Sequence, residues 1–304
     1  MHTLLAVAAA SACLCSAATA AADSLPSLGE PEVVSEGHLG VEGPVAAPDG
    51  TILFSDVSDA EILRFDPRTG ETALVDPTSG GANGLDFLGP DLVRCEGVQR
   101  RVTRTPLRAD GSAGEPEVLA GSFGGKAFNT PNDLVVLPDG GGLFFTDPRY
   151  GDRGTMELDA EGVYALPVGG EPVRVIGDLV RPNGVTLSPD GRTLYVADEG
   201  ARKVFAYPVV PASGGEPFGV GEGRLFADVS AYGNPDGMVT DAGGRLYVAL
   251  FKTGKLLVLS PGGQPLSLTD AGERTSNVCL DLDEEHAYVT AGGSLLRFRI
   301  DAAG

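Results

Sequence analysis

Short apolar runs recur along the chain, and many of them are followed by a tight turn and a second apolar run. Pro48-Asp49-Gly50 leads into Thr51-Ile52-Leu53-Phe54, and Pro189-Asp190-Gly191 leads into Thr193-Leu194-Tyr195-Val196. Runs of β-branched, aromatic and aliphatic residues joined by Asp-Gly turns are typical of antiparallel strands. A third strand follows in several places, as in Lys203-Val204-Phe205-Ala206-Tyr207. The pattern therefore predicts a repeated small antiparallel sheet.

Six segments repeat this pattern, and each begins with a polar residue at the start of its first strand. We call these six the marker residues: Glu42, Asn83, Asn132, Asn183, Asp236 and Asn277. Successive markers are 41 to 53 positions apart. A repeat of this length that holds several short strands is the blade of a β-propeller.

The last repeat is shorter than the others, because only about three strands fit after Asn277. Residues 31–36 precede the first marker and belong to no repeat, so they can pair with the last repeat as its outer strand. The prediction is an all-β fold, a six-bladed β-propeller of four-stranded antiparallel blades, in which an N-terminal strand completes the last blade and closes the ring.

The marker residues predict a metal site. The first strand of each propeller blade is the innermost, so the markers should surround one mouth of the central channel. Carboxylates and amides are costly to bury without partners, and their oxygens are the ligands that calcium prefers. His38 and His286 lie outside the markers, which argues against a histidine-rich zinc or iron site. We expect one divalent cation, calcium first, with zinc, manganese or magnesium as alternatives.

An alternative interpretation of the markers is that Asn-Gly and Asp-Gly pairs simply form turns. A polar residue recurs at the same position in all six repeats, and in two of them it is a carboxylate. This recurrence favours the metal site. Further acidic residues end the predicted second strands and should lie near the same mouth, where they either support the metal ligands or accept turn hydrogen bonds. These residues are Asp56, Glu96, Asp147 and Asp198.

Five separated motifs resemble the gluconolactonase and senescence-marker-protein (regucalcin) family. They are Glu42-Gly43-Pro44, Thr130-Pro131-Asn132-Asp133, Phe145-Thr146-Asp147-Pro148 with Tyr150-Gly151, Arg181-Pro182-Asn183-Gly184, and Pro235-Asp236-Gly237. The resemblance extends from about residue 42 to residue 299. It implies a six-bladed propeller lactonase with a divalent metal at the channel mouth. By motif, the implied metal ligands are Glu42, Asn183 and Asp236, with Asn132 contacting metal or substrate, and Asp236 is also the implied acid/base.

The diisopropyl-fluorophosphatase type is similar to the chain in the same Glu, Asn, Asn, Asp pattern. That similarity leaves a phosphotriester as an alternative substrate. The second, histidine-containing calcium site of that type has no counterpart, because Val239 stands three positions after Asp236.

Lactone hydrolysis needs a polarised ring carbonyl, an activated water and a group that transfers a proton. Asp236 is the first candidate for the acid/base and Asp133 the second, because both should lie beside the cation. A serine mechanism is disfavoured, since the chain has no Gly-x-Ser-x-Gly motif. Candidate substrate-binding residues lie on segments that lead into or out of the inner strands of the third blade: Asn132, Lys126, Asn129, Arg149 and Tyr150.

Composition and charge exclude some classes of function. The 304 residues include 22 Lys and Arg against 42 Asp and Glu, a net charge of −20. Such a chain lacks the clustered cations that nucleic acids require. A hydrophobic content of 42% is enough for a sizeable core and argues against disorder.

The first 20 residues are predicted to be a secretory signal peptide. Residues 4–10 are apolar, Ala18-Thr19-Ala20 resembles a signal-peptidase site, and the run is too short to span a bilayer. We therefore expect an exported protein, periplasmic or secreted, with residues 21–304 as one propeller domain. A lipoprotein acylated at Cys13 is an alternative that Ala10 disfavours.

The two cysteines that follow the signal, Cys95 and Cys279, fall in blades two and six. Those blades are not neighbours in a six-bladed ring, so buried free thiols are expected.

Three functions remain open at this point. The first is a metal-dependent lactone hydrolase that acts on a small-molecule lactone. The second is another metal-dependent ester or phosphotriester hydrolase. The third is a non-catalytic propeller that binds a protein or polysaccharide and keeps a structural metal.

Overall fold

The computed structural model describes residues 27–301, which are almost entirely antiparallel β-sheet. The predicted signal peptide, with Cys13 and the lipoprotein alternative, lies outside these residues. The helical structure described is a single 3-10 turn, Arg153–Thr155, and no helix in this part of the chain has the length and hydropathy to cross a membrane. The two described cysteines, Cys95 and Cys279, are buried free thiols, as expected.

Six sheets form the six blades. Blade 6 takes in two N-terminal strands, β1 (Ser27–Leu28) and β2 (Glu32–Glu36). Blade 1 contains β3 (Val41–Ala46), β4 (Ile52–Asp56), β5 (Glu61–Asp66) and β6 (Glu71–Asp76). Blade 2 contains β7 (Ala82–Leu88), β8 (Asp91–Glu96), β9 (Arg101–Thr105) and β10 (Glu117–Ala120). Blade 3 contains β11 (Leu134–Val136), β12 (Gly142–Asp147), β13 (Gly162–Pro167) and β14 (Val173–Ile176).

The remaining blades follow the same plan. Blade 4 contains β15 (Pro182–Leu187), β16 (Thr193–Asp198), β17 (Lys203–Val210), a short β18 (Gly219–Val220) and β19 (Arg224–Asp228). Blade 5 contains β20 (Pro235–Thr240), β21 (Leu246–Leu250), β22 (Lys255–Leu259) and β23 (Pro265–Asp270). Blade 6 is completed by β24 (Thr275–Leu280), β25 (His286–Ala291) and β26 (Ser294–Asp301).

The predicted ring closure is confirmed. Strand β2 pairs antiparallel with β26, with Glu32 opposite Arg297 and Glu36 opposite Ser294. Strand β1 pairs with the far end of β26. The N-terminal segment is thus the outer strand of the last blade, and hydrogen bonds between the two ends of the described chain close the ring.

The core lies between neighbouring blades. The second strands β4, β12 and β21 are buried at every position, because each is packed between two adjacent blades. Phe144 of blade 3 shares one apolar cluster with Val196 of blade 4, and Phe54 of blade 1 shares another with Tyr288 of blade 6. These clusters join each blade to the next around the ring.

The inner strands β3, β7, β11, β15, β20 and β24 contact one another in a ring. In five of them the pairing register shifts where the marker residue lies, as between Pro182 and Val185 or between Pro235 and Met238. Such β-bulges bend a strand and re-aim a side chain. Asn183-Gly184 and Asp236-Gly237 therefore lie within strands, and the alternative interpretation of these pairs as turns is wrong.

The glycine after a marker allows neighbouring inner strands to touch. A Cβ on Gly184 would lie 2.9 Å from the Gly237 Cα and closer still to the Asp236 carbonyl oxygen. A Cβ on Gly237 would overlap the Asn277 amide in the same way. Two further markers are followed by a glycine that is equally close to the next blade, Gly43 and Gly84.

Replacing Gly184 should test this close approach. Gly184→Ala inserts a methyl group against backbone that has no room to move, and overpacking of this kind costs about 1–3 kcal/mol of unfolding free energy. The matched control is Gly219→Ala, whose methyl would meet only the Val175 side chain at 3.6 Å. Urea unfolding followed by far-UV circular dichroism should give a lower midpoint for the first variant only. Equal midpoints would contradict the proposed constraint.

A buried ionic cluster joins blades 1 and 2. The Arg94 side chain is 1% exposed and donates to Asp76 at 2.5 Å and to Glu96 at 2.9 Å. Glu96 also accepts from Thr103 and from Arg101. The end of the outer strand of blade 1 is therefore fixed to the second strand of blade 2.

Arg94→Met should destabilise the protein strongly, because it leaves two carboxylates buried without their shared cation. Breaking a buried pair in this way costs about 3–5 kcal/mol of unfolding free energy. Arg68→Met is the control, since Arg68 pairs with Asp66 on the surface and that pair is open to solvent. We expect a large fall in the urea midpoint for Arg94→Met and no measurable change for Arg68→Met. A small effect at Arg94 would mean that the cluster is structurally dispensable.

Candidate active site at the channel mouth

One cavity of about 430 Å³ lies at the mouth where the inner strands begin. Five of the six marker residues line it: Glu42, Asn83, Asn132, Asn183 and Asp236. The sixth, Asn277, is buried beside the cavity, where it donates a hydrogen bond to the Glu42 carboxylate and accepts one from the Val278 amide at 2.8 Å. The structure thus brings the predicted metal ligands together in one cavity.

Three carboxylates line this cavity, and two of them, Glu42 and Asp236, have perturbed acidity. Burial raises the pKa of Glu42 to about 8, and the Asp133 charge adds to the effect. Burial also raises the pKa of Asp236 well above its usual range, with further contributions from Glu42 and Asp133. Among the ion pairs of residues 27–301, none involves Glu42 or Asp236. Burial without a paired cation therefore favours the protonated form of both groups, and a bound cation would favour the ionised form.

The donor set at the cavity is made of oxygen. Residues 27–301 contain no group of three His, Cys, Asp or Glu side chains arranged to hold a metal. The third carboxylate that lines the cavity, Glu199, pairs with Arg181. The side-chain amides of Asn132 and Asn183 can add two further oxygens. Two carboxylates with amide oxygens and water match the ligands of a hard cation such as calcium.

Tyr150 orients one of these amides. The Asn183 Nδ2 group donates to the Tyr150 hydroxyl at 2.7 Å and also supplies a hydrogen bond to Asp236. Both amide hydrogens are then used, and the amide oxygen is left to accept. Burial raises the pKa of Tyr150 well above its usual range, with the Asp236 charge as the next cause, so the hydroxyl remains protonated.

Asp133 and Asp86 lie deeper, and neither lines the cavity. Asp133 accepts the backbone N–H groups of Leu134 at 3.0 Å and Val185 at 3.2 Å. Asp86 accepts those of Phe87 and Val136, both at 2.7 Å. Each carboxylate thereby satisfies an N–H on the inner edge of the next blade. Burial raises the pKa of Asp133 to about 7 and that of Asp86 to about 6.

The acidic residues at the ends of second strands hold the loops that lead into the inner strands. Asp56 accepts the backbone N–H groups of Leu39 and Gly40, and Asp147 accepts those of Asn129 and Thr130. Asp198 accepts that of Val180 in the same way, whereas Glu96 belongs to the Arg94 cluster. These residues act on the site by fixing the loops from which the marker residues extend.

Three predicted substrate-binding residues are not among those that line the cavity. Asn129 is buried and donates to the Asp147 and Ala160 carbonyls. The Arg149 guanidinium bonds within its own loop, to the Asp152 carbonyl. Lys126 is exposed on an outer turn. Of the predicted set, Asn132 and Tyr150 reach the cavity.

Several residues that line the cavity were not predicted as site residues from the sequence. They follow the second strands, or precede the inner strands, and include Val57, Val98, Arg181, Glu199, Phe251 and Lys252. Their positions in the repeats could have indicated them, because each turn after a second strand must lie at the same mouth as the markers. The Arg181 guanidinium forms an ion pair with Glu199 at 2.7 Å, and Glu199 also accepts from the Asn234 amide at 2.8 Å.

Known proteins resemble the chain in sequence. The family model described as the SMP-30/gluconolactonase/LRE-like region matches residues 41–293. A gluconolactonase of Zymomonas mobilis is 29% identical over 299 residues, which cover 90% of this chain and 82% of that protein. A 6-deoxy-6-sulfogluconolactonase of Pseudomonas putida is 30% identical over 232 residues, which cover 74% of this chain and 73% of that protein.

Solved structures share the architecture. The structure of a gluconolactonase from Xanthomonas campestris matches with a TM-score of 0.79 and 30% identity, covering 92% of each chain. Regucalcin from Agrobacterium tumefaciens matches with a TM-score of 0.75 at 20% identity, covering 91% of this chain and 95% of that chain, which shows the common fold alone. A family model that spans the six inner strands, together with these relatives, confirms the resemblance seen in the motifs. The chain belongs to the SMP-30/gluconolactonase/LRE-like family.

Proposed function

We propose that the protein is a lactonase that hydrolyses a small-molecule lactone at the channel mouth. The observation that carries the proposal is the pair of carboxylates, Glu42 and Asp236, which share one cavity with amide oxygens and form no ion pair. The gluconolactonase of Zymomonas mobilis and the sulfogluconolactonase of Pseudomonas putida support this substrate class.

The proposal includes one divalent cation, calcium first, held by the carboxylates of Glu42 and Asp236 and the amide oxygens of Asn132 and Asn183. These residues fit a hard cation, because they supply carboxylate and amide oxygens and neither carboxyl group is used in an ion pair. When bound, the cation polarises the lactone carbonyl and makes a water molecule more acidic. Zinc, manganese and magnesium remain alternatives to be compared with calcium.

Asp236 is the proposed acid/base, because it combines a place in the cavity with a raised pKa. Its carboxylate takes a proton from the attacking water as the new bond to the carbonyl carbon forms. The same carboxyl then returns a proton to the ring oxygen as the ring C–O bond breaks. Tyr150 supports this step, since its bond to Asn183 fixes the amide that donates to Asp236.

Calcium should stabilise the wild-type protein against heat. A ligand that binds only the folded state adds about 2.7 kcal/mol when it is present at about a hundred times its Kd. The melting temperature should therefore rise with calcium and fall again with chelator, and Glu42→Gln should remove most of the response. The chain has no Trp, so melting is followed by circular dichroism. If calcium, zinc, manganese, magnesium and chelator all leave the melting temperature of the wild-type protein unchanged, the result would contradict the cation site.

Kinetics should separate Asp236 from the other carboxylates. Asp236→Asn should lower kcat/KM on a sugar lactone by about 10²–10⁴-fold, the usual contribution of a general acid/base. Excess calcium should not restore this variant, whereas it should partly restore Glu42→Gln, which loses a ligand but keeps the base. Asp133→Asn should lose less than about tenfold, because Asp133 is occupied with two backbone N–H groups.

Each of these variants needs a urea midpoint close to that of the wild-type protein before its rate is interpreted. A larger rate loss at Asp133 than at Asp236 would assign the base to Asp133. Turnover of a phosphotriester but of no lactone would favour the phosphotriesterase alternative. Absence of turnover in a folded, metal-loaded protein would favour a binding propeller.

A further inference from the structure

The rim of the candidate site carries apolar side chains at three of the six blades. Each second strand ends at the mouth, and the turn that follows presents Val57 in blade 1, Val98 in blade 2 and Phe251 in blade 5. Val98 is 71% exposed. Exposed apolar groups beside a cavity are typical of surfaces that a ligand covers, because covering them removes apolar area from water.

The polar groups of the rim are largely occupied by one another. Arg181 and Glu199 form their ion pair, Glu199 also accepts from Asn234, and the Tyr150 hydroxyl accepts from Asn183. A polyhydroxylated sugar needs a hydrogen-bond partner for each hydroxyl that it buries. Outside the ring of markers, the Lys252 ammonium and the Tyr150 O–H remain to donate, which is too few for the several hydroxyls of a sugar.

A second cavity adjoins this apolar surface. It has a volume of about 240 Å³, lies on the side of blade 6, and shares Glu42, Val57, Asn83 and Phe251 with the first cavity. The Arg274 guanidinium stacks over the Phe251 ring at 5.9 Å and lines the second cavity. A ring held at the carboxylates can therefore extend a substituent along Val57 and Phe251 into additional space.

We propose that this site takes lactones whose ring carries an alkyl substituent, with Val57, Val98 and Phe251 as the specificity-determining residues. This inference rests on the proposed lactonase function and narrows its substrate class. The lactone ring lies over Glu42 and Asp236, and the alkyl chain lies against the rim. Polyhydroxylated sugar lactones use the same ring position but gain nothing from the apolar surface.

The test is a series of δ-lactones with alkyl chains of increasing length, together with glucono-δ-lactone. Each methylene that the rim buries should raise kcat/KM about three- to fourfold. Glucono-δ-lactone should be a poorer substrate than the longer members of the series. Phe251→Ser and Val98→Ser should each flatten the dependence on chain length, and Val98 is exposed enough that its replacement should not impair folding.

Leu282→Ser is the matched control, because Leu282 is a 60% exposed apolar residue in the turn after an inner strand, at the opposite end of the channel. It should keep the wild-type dependence on chain length. Turnover of glucono-δ-lactone with no gain from alkyl chains would overturn this inference and leave the proposed function standing. A chain-length dependence that survives both rim substitutions would also overturn it. Absence of turnover on every lactone would overturn the proposed function and this inference together.

Discussion

The close approach of the inner strands at the channel mouth is the constraint on which the site depends. Neighbouring strands meet so tightly that the residue after the marker has no Cβ in four of the six blades, as at Gly184 and Gly237. This approach draws the marker side chains of different blades into one cavity. Without it, Glu42 and Asp236 would remain the polar ends of separate sheets.

Bringing two carboxylates together in a buried place has an energetic consequence. Burial raises the pKa of both, Glu42 and Asp133 raise that of Asp236 further, and no Lys or Arg of the described chain pairs with either carboxyl group. Other carboxylates near this mouth are held in place by backbone N–H groups, as Asp56 and Asp147 are. The same type of side chain therefore lies in two settings at this mouth. Asp56 and Asp147 each accept two backbone N–H groups of a loop, whereas Glu42 and Asp236 line the cavity.

The residues that surround this charged centre differ from blade to blade. The turn after the second strand carries Glu199 in blade 4, where it pairs with Arg181, and Phe251 in blade 5. These turns lie outside the sheets, so they can vary without disturbing the blades. We propose that the inner strands provide the chemistry and that the turns provide the selectivity for alkyl lactones.

The repeat length and the polar markers were sufficient by themselves to predict six blades, the closing strand and the ring of six marker residues, and the family resemblance singled out Glu42, Asn183 and Asp236 among them. Those features are local and periodic, so they can be recognised in the amino-acid sequence. Only the tertiary structure decided that Lys126, Asn129 and Arg149 lie away from the cavity and that Val98 and Phe251 line it. Whether a loop side chain faces a channel depends on which backbone N–H groups and carboxylates pair across blades. Those contacts join residues far apart in sequence, and no local pattern encodes them.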